Sequence, residues 1–167
     1  MKVLHIITDL DTGGAEMMLY KLLSSLQDEK LNSSVISLIG RGSITEKIET
    51  LGVKVESLDL KQGARPSWKA IKKLRQLIQS SNPDIVQGWM YHGNIAATIA
   101  VFLFNPMCRK VKLFWNIRQT LYNLKQEKLQ TRWLIVLGRW LTFIPKSIIY
   151  NSNLSVEQHC NIGYSVK

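Results

Sequence analysis

Cysteines, acidic side chains beyond residue 60 and long apolar runs are what this 167-residue sequence has least of. Its two cysteines, Cys108 and Cys160, are too few for a disulfide framework and stand at no metal-ligand spacing, which points to a reducing compartment. No apolar stretch approaches the roughly 20 residues that cross a bilayer. The chain passes from Met1-Lys2 straight into an apolar segment without a signal-peptide pattern, so a cytoplasmic location is expected. Neither G-x-G-x-x-G nor G-x-x-x-x-G-K-[ST] occurs, which removes the two common phosphate-loop readings. No metal site is read from the acidic and histidine residues, and no cofactor is expected. Low-complexity segments and repeats are missing too, and 46% apolar against 20% charged residues excludes a disordered chain.

What is present is organised around the opening stretch. Residues 3–8 (VLHIIT) form a short, β-branched apolar run that reads as a buried parallel strand. Asp9 to Gly14 is a turn cluster, after which Met18, Leu19, Leu22, Leu23 and Leu26 recur at helical spacing. A strand, a diglycine turn and a helix in that order leave backbone N–H groups and the positive end of a helix dipole open to a ligand. Gly13-Gly14 also has the plainer use of making a tight turn.

The same alternation continues. Further strands are expected at 34–39, 53–58, 84–88, 111–115 and 147–150, and helices at 43–51 with Ser43 as cap, 66–81 from Pro66, 95–104, 128–143 and 154–161. Trp68 is placed on the apolar face of the 66–81 helix, and residues 89–94 (WMYHGN) are read as a loop. Six strands alternating with helices give an α/β, doubly wound, Rossmann-like, mainly parallel sheet with helices on both faces, in the order 3-2-1-4-5-6. In such a sheet the loops after strands one and four flank the switch point, where ligands bind. Gly13-Gly14 and the His92 segment should therefore share one cleft.

Charge is distributed unevenly. Residues 1–60 carry six basic and nine acidic side chains, whereas residues 61–167 carry sixteen basic against only Asp84, Glu127 and Glu157. A balance of that kind suits a polyanionic partner. No nucleic-acid motif accompanies it, so an anionic membrane surface or an acidic substrate is the expected partner rather than nucleic acid. The 128–143 helix is apolar on more than one side, with Arg132 and Arg139 beside three aromatic residues, which fits burial between layers or contact with lipid or another domain.

Five stretches taken together, TGGAE at 12–16, LGVKVESLDL at 51–60, NPDIVQGWMYHGN at 82–94, FWNIRQTLYNL at 114–124 and IIYNSNLSVEQHCNIGYSVK at 148–167, resemble the amino-terminal half of the family 4 retaining glycosyltransferases. These are two-domain GT-B enzymes. The resemblance implies that residues 1–167 are the Rossmann-like, acceptor-side domain, with the donor domain absent and transfer by this piece alone not expected. It implies a nucleotide-sugar as substrate, a polysaccharide or lipid-linked acceptor, retention by front-face displacement, and a peripheral place on the inner face of the cytoplasmic membrane.

Residue by residue, Gly13 and Gly14 match the glycine turn at the cleft and Glu16 matches the acidic position after it. His92 falls in the segment where relatives carry a histidine beside the reacting sugar, although theirs often comes sooner, where this chain has Trp89. Asn94 shares that segment. Arg118 could clamp a phosphate or carboxylate bidentately or hold its loop by a salt bridge. Glu16 could equally serve the helix dipole, and Asn151 and Ser152 could line the cleft or cap the last helix. His5 and His159 are expected to be structural and on the surface respectively. A different class, a non-catalytic small-ligand-binding module on the same sheet, fits the same elements.

Overall fold

β1 (Lys2–Ile7) is the strand on which the molecule is assembled, and its burial explains why. Leu4 and Ile6 point into one apolar layer and Ile7 into the other, as expected of alternating side chains on a strand covered on both faces. The computed structural model describes residues 1–27, 31–63, 67–103 and 111–166. Six strands form one all-parallel sheet in the order β3-β2-β1-β4-β5-β6, with β2 at Asn32–Ser37, β3 at Lys54–Ser57, β4 at Ile85–Trp89, β5 at Lys112–Ile117 and β6 at Ser147–Tyr150. The expected fold class and strand order are both found.

One layer packs α1 (Gly14–Ser25) and α2 (Thr45–Thr50) on the sheet through Leu19, Leu23, Ile44 and Ile48. The opposite layer holds α3 (Trp68–Ser81), α4 (Met90–Thr98, continued by a π-helical turn over Ile99–Leu103), α5 (Leu129–Leu141) and α6 (Asn153–Asn161). Its core contains Leu74, Ile78, Ile95, Ala97 and Ile135, and a fully buried aliphatic side chain of this kind contributes about 1.5–3 kcal/mol.

Several local expectations are revised. Residues 89–94 are not a loop: α4 starts at Met90, directly off β4, with Met90 itself at φ +59°. Ser43 does not cap α2; its hydroxyl pairs with that of Thr12 at 2.9 Å, and Ile44 occupies the cap position. α3 is capped by Ser67, whose Oγ accepts from the Ala70 N–H at 3.2 Å, while Pro66 lies outside the described residues, as does Cys108. Trp68 is 70% exposed, because the buried face of α3 is carried by Ala70, Leu74 and Ile78.

His159 is the largest revision, being fully buried rather than on the surface. Its Nδ1–H donates to the Ser155 carbonyl at 2.7 Å, which leaves Nε2 to accept from the Tyr91 hydroxyl at 2.8 Å. The rings of Tyr150 and Tyr164 stand 5.4 and 5.2 Å away. Burial lowers the pKa of this imidazole. The contact ties α6 to α4, the helix that carries His92.

His5 is structural, as expected. Its Nδ1 accepts from Trp89 Nε1–H at 3.2 Å between β1 and β4, and burial pushes its pKa down to about 4 although nearby Gln87 favours the charged ring. No geometric hydrogen bond reaches His5 Nε2. An unfolded histidine titrates near 6.5, so between pH 6.5 and about 4 the unfolded chain holds the extra proton. Stability from this group is complete above pH 6.5 and falls on acidification toward pH 4, by about 3 kcal/mol at most. In an NMR titration His5 is expected to stay neutral down to about pH 4; a midpoint near 6.5 would contradict this packing.

Candidate functional site

Because every strand is parallel, every strand-to-helix connection lies along one rim, and the two connections at the sheet's centre are braced against each other. The β1 connection is held from below by Gly42, where a Cβ would stand 2.2–2.4 Å from the backbone of Leu10 and Asp11, and by the Ile44 N–H donating to the Leu10 carbonyl at 2.9 Å. Asp9 Oδ1 accepts from the Asp11 N–H at 3.2 Å, closing a local turn, and Leu10 is fully buried beneath it. The first turn of α4 sits on the end of β1. At Gly93 a Cβ would lie 2.4 Å from the Ile6 carbonyl oxygen, so only glycine lets the helix come this close.

His92 is thereby set beside Asp9. The half-buried imidazole has its pKa lowered by desolvation, against which the Asp9 charge works. It makes no hydrogen bond among the described residues. Arg118, at the end of β5, is half-buried, and its backbone N–H meets Met90 Sδ at 3.4 Å. Among the described residues its guanidinium has neither an ion pair nor a hydrogen bond, so the salt-bridge alternative for this residue is not what the structure shows. Two uncommitted polar side chains thus flank Met90, whose positive φ is a conformation that costs about 1–3 kcal/mol and concentrates at functional sites.

Below His92 lies an open-mouthed cavity of about 1090 Å³ between α3, α4 and the start of α5, which Arg118 does not line. Thr8, Asp9 and His92 stand at its polar end; Leu60, Leu74, Ile95 and Ile99 form its apolar wall. A smaller hollow of about 540 Å³ between α5 and the end of α6 lies apart from the ends of β1 and β4.

The remaining sequence candidates are placed as follows. Gly13 is the extended N-cap of α1, Gly14 its first residue, and both are on the rim but on the α1 side of the sheet, outside the cavity lining. Glu16 folds back so that its carboxylate fills the space over Gly13; burial raises its pKa, its own backbone N–H offsets part of this, and Asp9 and Asp11 add to the rise. Asn94 does not reach the cleft. It is 1% exposed and its Oδ1 accepts from the Asn116 N–H at 3.3 Å, fastening α4 to β5. Asn151 is exposed, and its N–H donates to the Ile117 carbonyl at 3.2 Å. Ser152 caps α6, its Oγ accepting from the Ser155 N–H at 3.1 Å.

Asp9 and Met90 are the site residues that sequence reasoning leaves out. Asp9-Leu10-Asp11 has D-x-D spacing, which the expectation of no metal site passes over. In the fold Asp9 turns to the Asp11 N–H and Asp11 to the Ser43 N–H at 3.4 Å, and among the described residues no group of three or more His, Cys, Asp or Glu side chains could hold a metal ion.

No family model and no curated protein sequence matches this chain. Solved structures do. Anabaena HepE, crystallised in complex with UDP and glucose, superposes with a TM-score of 0.75 at 18% identity over 99% of this chain and 42% of its own length. The UDP-GlcNAc 2-epimerase of Methanocaldococcus jannaschii gives 0.61 at 10% identity, over 99% of this chain and 43% of its own. The likeness is one of fold. The chain spans less than half the length of these UDP-sugar proteins.

Proposed function

We propose that this chain is the acceptor-side half of a glycosyltransferase that takes a sugar from a nucleotide-sugar with retention. The observation that carries the proposal is the uncommitted imidazole of His92, beside Asp9 at the polar end of an apolar cavity on the rim where open parallel sheets take their ligands. The fold likeness to proteins named for UDP and UDP-sugars supports it.

In this reading the acceptor's apolar part lies against Leu60, Leu74, Ile95 and Ile99, with its hydroxyl at His92. The imidazole, neutral at pH 7, accepts or donates a hydrogen bond that orients the attacking oxygen. Arg118 pairs with a phosphate of the donor or an acidic group of the acceptor. The acceptor oxygen bonds to the anomeric carbon on the face from which the diphosphate departs, the sugar–phosphate C–O bond breaks, and the acceptor proton passes to the leaving phosphate oxygen. Arg118 stabilises that developing charge. A carboxy-terminal domain supplies the donor's own contacts.

Half a cleft should bind weakly. By calorimetry, the 167-residue chain alone is expected to hold UDP-glucose with a dissociation constant of about 1 mM or weaker, and to transfer no sugar. Micromolar binding, or turnover by this chain alone, would instead mark a self-sufficient module.

A further inference from the structure

Neither His92 nor Arg118 makes a side-chain hydrogen bond among the described residues, so each is aimed by its backbone. Neither backbone is held from within its own element. α4 has no side-chain cap, and its first residue, Met90, stands at φ +59°. The first turn of a helix also has N–H groups without partners in the helix, and His92 is the third residue of that turn. Arg118 opens a stretch without regular structure that runs to Asn123. Something outside both segments has to fix them if the two side chains are to face one ligand.

α6 does this from a single face. Ser155, Gln158 and His159 stand at helical spacing and so lie side by side. The Ser155 hydroxyl donates to the Gln119 carbonyl at 2.8 Å, Gln158 Oε1 accepts from the Leu121 N–H at 2.7 Å, and His159 Nε2 accepts from the Tyr91 hydroxyl at 2.8 Å. The first two contacts fall just after Arg118 in the chain, and the third falls on the residue before His92. Ser155 and His159 are both fully buried, so water does not compete for these bonds. The rings of Tyr91, Tyr150 and Tyr164 surround the imidazole. Burial raises the pKa of each phenol and lowers that of His159, which keeps the network uncharged at neutral pH.

We infer that Ser155, Gln158 and His159 are positioning residues of the candidate site: His159, through the Tyr91 hydroxyl, sets the turn that aims His92, while Ser155 and Gln158 set the connection that aims Arg118. One helix thereby fixes the relative placement of two groups carried by different strands, β4 and β5, although no residue of α6 lines the cavity below His92. The inference rests on the reading of His92 and Arg118 as the working side chains of the rim.

The test reads the setting of His92 by NMR titration of the 167-residue chain and its variants. Tyr91→Phe keeps the ring in the core and removes only the hydroxyl; His159→Leu removes the acceptor. Neither takes away a charge at neutral pH, so a moved His92 midpoint reports a changed placement of the imidazole beside Asp9. In both variants the midpoint is expected to rise from its lowered value toward the ordinary 6.5, and kcat for sugar transfer by the full-length protein to fall by about tenfold or more. His159→Gln offers Tyr91 an amide oxygen in place of Nε2 and should restore the wild-type midpoint and kcat to within about twofold. A contact that only stabilised the fold would lower the thermal midpoint and move neither reading. An unchanged His92 midpoint in Tyr91→Phe would therefore overturn the inference, whether or not His159→Leu folds. Transfer at the wild-type rate by Tyr91→Phe would overturn it while leaving the sugar-transfer reading in place. A shifted midpoint in a protein that transfers no sugar would remove that reading and leave the positioning role of α6 standing.

Discussion

Gly93→Ala is expected to destabilise the protein by about 2 kcal/mol, although alanine is the better helix former by about 1 kcal/mol. The added methyl would stand 2.4 Å from the Ile6 carbonyl oxygen and 3.3 Å from its carbon, both backbone of the central strand, so no side chain can swing aside. α4 must lift off β1. Overpacking of this kind costs about 1–3 kcal/mol and occasionally more, which outweighs the gain in propensity. For a domain of this size the thermal midpoint should fall by about 4–8 °C. Gly14→Ala is the matched control, also a glycine within a helix, but with nothing within 4 Å of the new Cβ and therefore an unchanged or slightly raised midpoint. Equal midpoints for the two variants would contradict the packing of α4 on β1, and with it the placement of His92.

That packing also shows how far the sequence could be read. The six strands announced themselves because each is a short apolar run between turn residues, and the strand order follows from the alternation of strand and helix. The helical state of residues 90–94 was not legible. Met90 adopts a positive φ that few residues other than glycine or asparagine take up, and Gly93, which as a single residue reads as a helix breaker, is there because a backbone oxygen occupies the space of its side chain. His159 and Asn94 were misread for a related reason. His159 looks like a polar side chain bound for solvent and Asn94 like one facing the cleft, and each is buried against a partner distant in sequence, the Tyr91 hydroxyl for His159 and the Asn116 N–H for the Asn94 Oδ1. Ser152 had two candidate uses, and the geometry uses it as a cap. The apolar character of α5 was plain in the sequence, yet only its orientation separates a buried helix from one whose tryptophans face outward.

The second large effect belongs to His92. In a full-length protein with both halves of the cleft, His92→Ala is expected to lower kcat by about 100- to 1000-fold, the usual cost of deleting one preorganised polar group at a reacting centre. His92 makes no hydrogen bond to the described protein, so its loss should leave the thermal midpoint within about 1 °C, as for a substitution away from the buried core. Arg118→Gln should act differently, raising KM by about tenfold or more through loss of a charge-assisted pair. The pH dependence has a definite sign. Burial lowers the pKa of His92, so the imidazole that orients the acceptor hydroxyl is neutral at pH 7. Activity carried by that form holds through neutral pH and falls only on acidification past the lowered pKa, whereas a required imidazolium would make activity rise on acidification.

The measurement that bears most directly on the central claim is kcat for sugar transfer by the full-length protein and its His92→Ala variant, read between pH 5 and 8. The geometry of the rim predicts a loss of at least about 100-fold in the variant and, in wild type, an acid limb displaced to the acidic side of the ordinary histidine range that the variant lacks. Transfer by the variant at the wild-type rate, with the same acid limb, would contradict it.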